Sequence, residues 1–261
     1  MRTLPNQDQI VVCLPRSQRA QKLKVSGEFG KTLFLDGLLG YETTTTRLWF
    51  EFCKQADLVL DIGAHLGVFT LLATDANPAS RVFSFEPLPS NFDYLCDHIR
   101  ASGMAERITP CPLAVSDRNG ASEFLLRDTS GSTLAQDFWA DSASLQRVEI
   151  QTTTLDHWLA VNRIALTSHS VIKMDVETHE PAVLRGALQA LSCKPAILCE
   201  VLATFTESDL AELLPASQWK YFWIGPNGPT ERRRIIGDPA WRYANYLFLS
   251  HDSPFLSLVS R

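Results

Sequence analysis

Several features that mark large classes of proteins are missing from this sequence. Its longest apolar runs stay far below the roughly 18 residues that a membrane-spanning helix needs. Its first ten residues show no basic-then-apolar export pattern. Lys and Arg number 24 against 29 Asp and Glu, a net charge of -5, so no positive excess is present to hold nucleic acid. We therefore expect a cytoplasmic protein with no membrane span and no nucleic-acid partner.

The six cysteines are scattered along the chain, and no two of them form a C-x-x-C pair. This pattern predicts neither a zinc site nor a disulfide framework. Most of the cysteines lie in apolar segments, so we expect reduced thiols in the core or near the surface.

The dinucleotide-binding fingerprint G-x-G-x-x-G is also absent. The glycine turn that follows Asp61 has Ala64 and His65 where the fingerprint requires its second glycine, so side chains would meet a pyrophosphate there. Asp61 itself stands just before the turn and would repel a phosphate. A nicotinamide-dependent oxidoreductase is therefore disfavoured.

The composition is that of a folded protein, with 45% hydrophobic and 20% charged residues over 261 positions, a length that fits one large domain or at most two. From residue 57, short runs rich in Val, Ile and Phe alternate with longer segments of helical period, which is typical of β-α-β units. This alternation predicts an α/β three-layer sandwich around a seven-stranded, mostly parallel sheet. Residues 1–56 are expected to form a small strand-and-helix cap, continuous with a main domain over residues 57–261.

The pattern also places the individual elements. The predicted core strands are residues 58–62, 81–85, 108–115, 170–177, 196–201, 221–224 and 246–249, with an antiparallel excursion at 122–126 and 148–152. The last two core strands are expected to pair antiparallel at one edge. Two helices carry capping signals, Ser90 with Asp93 and Thr206 with Asp209.

The predicted strand ends are markedly acidic, and ligands bind beyond the carboxyl ends of strands in open α/β sheets. These end residues are Asp61, Glu86, Ser116 with Asp117, Asp175 with Glu177, and Glu200. Glu86 stands 19 residues past Gly67, where its carboxylate can accept hydrogen bonds from both hydroxyls of a ribose. An acid before the glycine turn suits a cationic ligand. S-adenosyl-methionine, a nucleoside with positive charge and no phosphate, fits both facts.

Three strings of this sequence resemble the FkbM-type class I methyltransferases. They are Val59 to Thr70, then Phe85-Glu86-Pro87, then Ile172 to Glu177 with Glu180 and Leu184-Arg185-Gly186-Ala187. The resemblance implies the seven-stranded methyltransferase fold, S-adenosyl-methionine as methyl donor, and usually a hydroxyl on a sugar or secondary metabolite as the small-molecule acceptor. The family usually has a glycine after the second acid of the last string, where this chain has Thr178 followed by His179.

The residues that we predict to bind the cofactor lie in the glycine turn, at strand ends and before the first core strand. Glu42 is included because the resemblance places an acid there, closing over the amino-acid end of the cofactor. A surface acid in a turn is the alternative for that residue. The full set is Glu42, Asp61, Gly63, Ala64, Gly67, Thr70, Glu86, Ser116 and Asp117.

The predicted catalytic groups cluster at the end of the fourth strand. Asp175 and Glu177 are two residues apart and share one face of a strand, Glu180 adds a third carboxylate, and His179 is a loop histidine. Asp175, Glu177 or His179 can take the proton of an acceptor hydroxyl. Alternatively, Asp175 and Glu177 hold a divalent metal such as Mg²⁺, and the sequence does not decide between the two.

The predicted function is therefore O-methylation by S-adenosyl-methionine, and two alternatives stay open: an N-methyltransferase, and a binding module that keeps the cofactor site without chemistry.

Arg232-Arg233-Arg234 is expected to be a solvated charge run, with a grip on an acidic acceptor as the alternative. Five aromatic residues offer walls for an acceptor pocket, although packing is the commoner use of such residues. They are Trp219, Phe222, Trp223, Trp241 and Tyr243.

Overall fold

The computed structural model describes residues 9–25, 27–126, 132–133, 146–202, 207–238 and 243–259. The strands are β1 Gln9–Cys13, β2 Ala20–Lys24, β3 Leu58–Ile62, β4 Arg81–Phe85, β5 Ile108–Cys111, β6 Ala114–Val115, β7 Gly120–Leu126, β8 Ser132–Thr133, β9 Gln146–Thr153, β10 Val171–Met174, β11 Ala196–Glu200, β12 Trp219–Gly225, β13 Gly228–Arg232 and β14 Asn245–Ser250. The helices are α1 Gly27–Asp36, α2 Thr43–Cys53, α3 Val68–Ala76, α4 Pro89–Ser102, α5 Leu155–Asn162, α6 Glu180–Arg185, α7 Leu188–Ser192 and α8 Glu207–Leu213.

The main sheet has the strand order β13-β12-β14-β11-β10-β3-β4-β5. Strands β11, β10, β3, β4 and β5 are parallel to their neighbours in this series. Strand β14 is antiparallel to both β11 and β12, which confirms the predicted antiparallel pair. The α/β class and the mostly parallel sheet are confirmed as well. Apolar clusters cover both faces of the sheet, as a three-layer arrangement requires.

Within the described residues, this sheet has eight strands rather than the seven predicted, because β13 forms a hairpin with β12 at the edge. Strand β13 contains Pro229 and ends in the charged pair Glu231 and Arg232. Proline lacks a ladder donor, and charged side chains do not suit a core strand, but an edge strand tolerates both.

The prediction that residues 108–115 form a single strand is wrong. The chain breaks at Pro112, so that β5 joins the main sheet while β6 pairs with β9 in a second sheet of order β6-β9-β7-β8. A proline within a strand removes a ladder hydrogen bond. The predicted antiparallel excursion is confirmed, since β7 pairs with β9 in antiparallel register.

The capping box predicted at Ser90 and Asp93 is wrong. Helix α4 begins at Pro89 after Leu88, and no side chain caps it, because proline already suits the first helical turn. Gly103 ends this helix in the left-handed region, at φ 67°, which glycine adopts readily. The other capping residue, Thr206, lies outside the described residues.

The segment before β3 packs on the main sheet. Strands β1 and β2 form an antiparallel hairpin, and α2 lies against α3, where Trp49 Nε1 donates to the Phe69 carbonyl at 2.9 Å. Phe52 stacks on Phe255 with ring centroids 4.9 Å apart. These shared contacts support our proposal that residues 1–56 and 57–261 form one continuous unit.

All six cysteines are free thiols, as predicted. Within the described ranges, no helix combines the length and the hydrophobicity that crossing a membrane requires.

Candidate active site

A cavity of about 440 Å³ opens where β3, β4 and β10 end. This is the edge of the sheet at which α/β proteins bind ligands. Its lining residues are Phe29, Thr32, Tyr41, Ile62, Gly63, His65, Phe85, Glu86, Pro87, Asn91, Leu113, Ala114, Val115, Phe124, Asp175, Val176, Glu177 and His179. Five of the predicted site residues therefore line the same cavity: Gly63, Glu86, Asp175, Glu177 and His179.

The glycine turn is shaped by two positions that only glycine fits. Gly63 has φ 83°, and a Cβ there would lie 1.8 Å from the Asp175 carbonyl oxygen. Gly67 has φ 88°, and its Cβ would lie 2.6 Å from Leu95 Cδ1. The turn therefore brings the end of β3 into direct backbone contact with the end of β10, and α3 starts immediately after it.

Glu86 closes the turn from the end of β4. Its Oε2 accepts the His65 backbone N–H at 2.8 Å, and its Oε1 accepts the Leu88 backbone N–H at 3.0 Å. Burial raises the pKa of the Glu86 carboxyl from 4.5 to about 7. Glu86 is only 5% exposed, yet it lines the cavity. The Asn91 side chain also hydrogen-bonds to its carboxylate, which still has acceptor capacity for a ligand hydroxyl.

Asp61 and Thr70 lie behind the glycine turn instead of in the cavity wall. Asp61 is fully buried, and its Oδ2 accepts the Thr70 hydroxyl at 2.6 Å. Its Oδ1 has no hydrogen-bond partner among the described residues, and burial raises its pKa. The pair ties β3 to the first turn of α3, so any contact that Asp61 makes with a ligand needs a path through the turn.

Lys173 is a buried cation that sequence reasoning missed. It stands opposite Asp61 in the pairing of β10 with β3, is 2% exposed, and donates to Asp175 Oδ2 at 2.8 Å. Its ammonium also lies 4.2 Å from the centre of the Phe69 ring. Burial alone would lower the pKa of Lys173, but the surrounding carboxylates, Asp175 first, raise it. The only signal in the sequence was a single lysine in an apolar strand.

The stretch after β10 is a turn and not a strand, because β10 ends at Met174. The expectation that Asp175 and Glu177 share one face of a strand is therefore wrong. The turn uses left-handed backbone at Glu177, φ 54°, and at Thr178, φ 75°, and it still presents both carboxylates to the cavity. Burial, and then the charge of Asp175, raise the pKa of Glu177 from 4.5 to about 7.

Glu180 does not line the cavity, so the turn presents two carboxylates and not three. Its Oε1 accepts the Val176 backbone N–H at 2.9 Å, which holds the turn in place. Burial raises the pKa of Glu180 to about 8. Glu200, at the end of β11, is half-buried, and desolvation raises its pKa. An oxygen of each side chain has no hydrogen-bond partner in the described part of the chain.

Ser116 lies beside the cavity and contacts His179, and Asp117 contacts Ser116. Ser116 Oγ is 2.9 Å from His179 Nε2 and 3.3 Å from Asp117 Oδ1. Burial lowers the pKa of His179 from 6.5 to about 4, so the imidazole is neutral at pH 7. The structure thus joins two residues predicted for the cofactor to one predicted for catalysis.

Glu42 stands next to Tyr41, which lines the cavity. Asn245 Nδ2 donates to Glu42 Oε2 at 2.9 Å, and burial raises the pKa of the Glu42 carboxyl. Glu42 lies in a turn, with φ 43°, and is half-buried, and its carboxylate is anchored to Asn245 rather than free at the surface.

The described residues contain no group of three or more His, Cys, Asp or Glu side chains arranged to hold a metal ion. Asp175, one of the two acids considered for Mg²⁺, already has its Oδ2 bonded to Lys173. Asp175 and Glu177 therefore do not fit a metal site.

The aromatic residues proposed as pocket walls lie elsewhere. Trp219 and Phe222 are buried in the core, and Trp241 lies outside the described residues. Trp223 donates through Nε1 to the Tyr243 carbonyl at 2.9 Å. Arg232 stacks 5.1 Å from the centre of the Trp223 ring. The aromatic walls of the main cavity are instead Phe29, Tyr41, Phe85 and Phe124, which the sequence did not single out.

Comparison with known proteins gives consistent matches. Residues 61–218 match the family described as the methyltransferase FkbM domain. The hexuronic acid methyltransferase AglP of Haloferax volcanii is 28% identical over 175 residues, covering 66% of this chain and 67% of that protein. The 31-O-demethyl-FK506 methyltransferase FkbM of Streptomyces tacrolimicus is 26% identical over 164 residues, covering 52% of this chain and 62% of that protein.

Among solved structures, an O-methyltransferase from Bacillus cereus in complex with S-adenosyl-homocysteine matches with a TM-score of 0.46 and 13% identity, covering 80% of each chain. The family match spans more than half of the 261 residues. This chain therefore belongs to the FkbM methyltransferase family, and it is a methyltransferase that uses S-adenosyl-methionine as its methyl donor.

Proposed function

We propose that this enzyme transfers the methyl group to a hydroxyl of a sugar or of another polyhydroxylated metabolite. The observation that carries this proposal is the placement of three proton-accepting side chains, Asp175, Glu177 and His179, in the same cavity as the buried carboxylate of Glu86. The relatives support it, because two of them are named for a hexuronic acid and for an O-demethylated form of FK506 as substrates.

The cavity residues fit the cofactor. Glu86 offers a buried carboxylate in the cavity lining, and a carboxylate suits the hydroxyls of a ribose. Apolar side chains beside it, Pro87 and Leu113, suit the adenine ring. The backbone of the glycine turn and the anchored Glu42 are proposed to hold the amino-acid end, with Asp61 contributing charge from behind the turn.

The cofactor supplies an electrophilic methyl group when it is bound. The protein residues hold the acceptor oxygen in line with that methyl group, and such positioning can contribute several kcal/mol. Asp175 and Glu177 accept hydrogen bonds from the acceptor and orient it. One of the three groups takes the hydroxyl proton, which typically adds about 10²- to 10⁴-fold to the rate.

The direct test is methyl transfer from labelled S-adenosyl-methionine to a panel of neutral sugars, uronic acids and polyketide alcohols, with the matching amines in parallel. Transfer to at least one alcohol and not to its amine counterpart is expected. Transfer only to amines would make this an N-methyltransferase. Tight binding of S-adenosyl-homocysteine without transfer to any acceptor would favour a binding module.

A further inference from the structure

His179 is held by a side chain that comes from a distant part of the sequence. Its Nε2 is 2.9 Å from Ser116 Oγ. Ser116 is 3% exposed, and it does not belong to the cavity lining, whereas His179 does. The Nε2 atom is therefore occupied by its hydrogen bond to Ser116, and Nδ1 is the ring nitrogen that can contact a ligand.

The neighbouring carboxylate decides which ring nitrogen carries the proton. Ser116 Oγ donates to Asp117 Oδ1 at 3.3 Å. An ionised carboxylate only accepts hydrogen bonds, and a serine hydroxyl has one proton to give. With that proton directed to Asp117, Ser116 Oγ accepts from His179, so Nε2 is the protonated nitrogen. The hydrogen bond made by one imidazole nitrogen fixes the state of the other.

The backbone holds the two partners in a fixed relation. The Ser116 N–H donates to the Thr153 carbonyl at 2.9 Å. On its other side, a Cβ at position 186 would lie 2.0 Å from the Ser116 carbonyl oxygen, so Gly186 allows α6 to pack directly against it. His179 immediately precedes α6. Ser116 and His179 are thus fixed by the same close contact.

Two cations also bear on this group of residues. Arg185 Nε lies 3.7 Å from Asp117 Oδ2, so an ion pair adjoins the carboxylate that accepts the serine hydroxyl. Arg118 and Arg185 both act against a positive charge on His179, and Asp117 favours one. Asp117 is therefore the group that can stabilise an imidazolium formed during a reaction.

We propose that Ser116 and Asp117 are positioning residues that hold His179 as the Nε2–H tautomer, so that Nδ1 takes the proton of the acceptor hydroxyl. This use of His179 rests on the proposed O-methylation. As the oxygen–methyl bond forms and the sulfur–methyl bond breaks, the hydroxyl proton moves to Nδ1, and it later leaves to solvent. The proton becomes much more acidic as the oxygen–methyl bond forms, so a weakly basic imidazole suffices.

The test reads the tautomer directly and needs no acceptor. Full-length protein labelled with ¹⁵N at histidine is studied by NMR near neutral pH, and the His179 signals are identified by their loss in His179→Gln. We expect a protonated Nε2 and an unprotonated Nδ1. In Asp117→Asn the amide can donate to Ser116, so the serine proton turns to Nε2, and the Nδ1–H tautomer should become the major form.

Three further variants complete the experiment. Ser116→Thr keeps the hydroxyl and should keep the Nε2–H tautomer, whereas Ser116→Ala should give a mixture. Asp252→Asn is the matched control, because Asp252 is a surface carboxylate paired with Lys194, and it should leave the His179 signals unchanged. An Nδ1–H tautomer in the parent protein would overturn the proposal, as would a tautomer that stays the same in both Asp117→Asn and Ser116→Ala.

The catalytic arm separates this proposal from the proposed function. Once an acceptor is known, Ser116→Ala and Asp117→Asn should lower kcat about tenfold or more with little change in KM for the acceptor. If His179 is the Nε2–H tautomer but no alcohol is methylated, the positioning role stands and O-methylation is refuted. If an alcohol is methylated and kcat is the same in the parent, Ser116→Ala and Asp117→Asn, O-methylation stands and the positioning role is refuted.

Discussion

Glu86 is the residue whose effect on the cofactor can be measured most directly. Both of its oxygens already accept backbone N–H groups, and a ribose would add hydrogen bonds to the same carboxylate. Glu86→Ala should weaken binding of S-adenosyl-homocysteine by about 1.5 to 3 kcal/mol, the range for hydrogen bonds to charged groups, as measured by calorimetry. Glu106→Ala, an exposed glutamate just before β5, should leave the affinity unchanged. Unchanged affinity in folded Glu86→Ala protein would place the ribose elsewhere.

Asp175 and Glu177 differ in their surroundings, although both line the cavity. Asp175 is bonded to Lys173, whereas the pKa of Glu177 is raised to about 7. Asp175→Asn and Glu177→Gln should each lower kcat about tenfold or more and leave S-adenosyl-homocysteine affinity within a few fold. The effect of Glu177→Gln should be largest above pH 7, where the parent carboxylate is ionised. Parental rates in both variants, with Asp93→Asn as surface control, would make the two acids structural.

At the scale of elements, the turn between β10 and α6 stores backbone strain. Thr178 is β-branched and has φ 75°, a region that such residues rarely occupy, and its buried Oγ1 lacks a hydrogen-bond partner within the described residues. Thr178→Gly should raise the free energy of unfolding by about 1 kcal/mol, because strain of this kind costs of that order. Urea denaturation measures the change.

Thr230→Gly is the matched control for that turn. Thr230 lies in β13, where glycine gains nothing from its freedom at positive φ and weakens the strand, so this variant should be less stable than the parent. If Thr178→Gly also lost stability, the turn would carry no releasable strain.

These elements also show which parts of the fold can be predicted from the sequence. Strands β3 and β4 match their predicted ranges, 58–62 and 81–85, because each is an apolar run with a glycine turn or Glu86-Pro87 after it. The break at Pro112 follows from a residue that the sequence itself shows, whereas the pairing of β6 with β9 and the left-handed backbone at Thr178 depend on tertiary contacts. The charge balance around Lys173 could not be predicted either, because it arises only when β10 lies beside β3.

At the scale of the whole molecule, buried acids make stability depend on pH. Burial raises the pKa of Glu180 from 4.5 to about 8, and those of Glu86 and Glu177 to about 7. An acid with a raised pKa in the folded state holds its proton more tightly there. Its stabilising contribution is full below about pH 4.5 and is lost as the pH rises through the folded value.

The contribution of these three acids to the free energy of unfolding should therefore fall between about pH 5 and pH 8. His179, whose pKa is lowered to about 4, opposes this fall below about pH 6.5. Glu180→Gln should flatten part of this slope, because the amide oxygen can still accept the Val176 N–H while no charge forms in the core. Urea unfolding at several pH values measures how the free energy of unfolding changes with pH, with Glu106→Gln as the exposed control. A slope identical in parent and Glu180→Gln would mean that Glu180 does not titrate in this range.

The hydrogen bond between Asn245 and Glu42 joins residues 203 positions apart. Asn245 opens β14, a strand inserted between β11 and β12 in the middle of the sheet. During synthesis, Glu42 leaves the ribosome 203 residues ahead of Asn245. Strand β11, once made, has an unpaired edge until β14 follows it. Such long-range pairing is slow and leaves apolar strand edges exposed to association. Glu42 is therefore anchored to its partner only after β14 has been made.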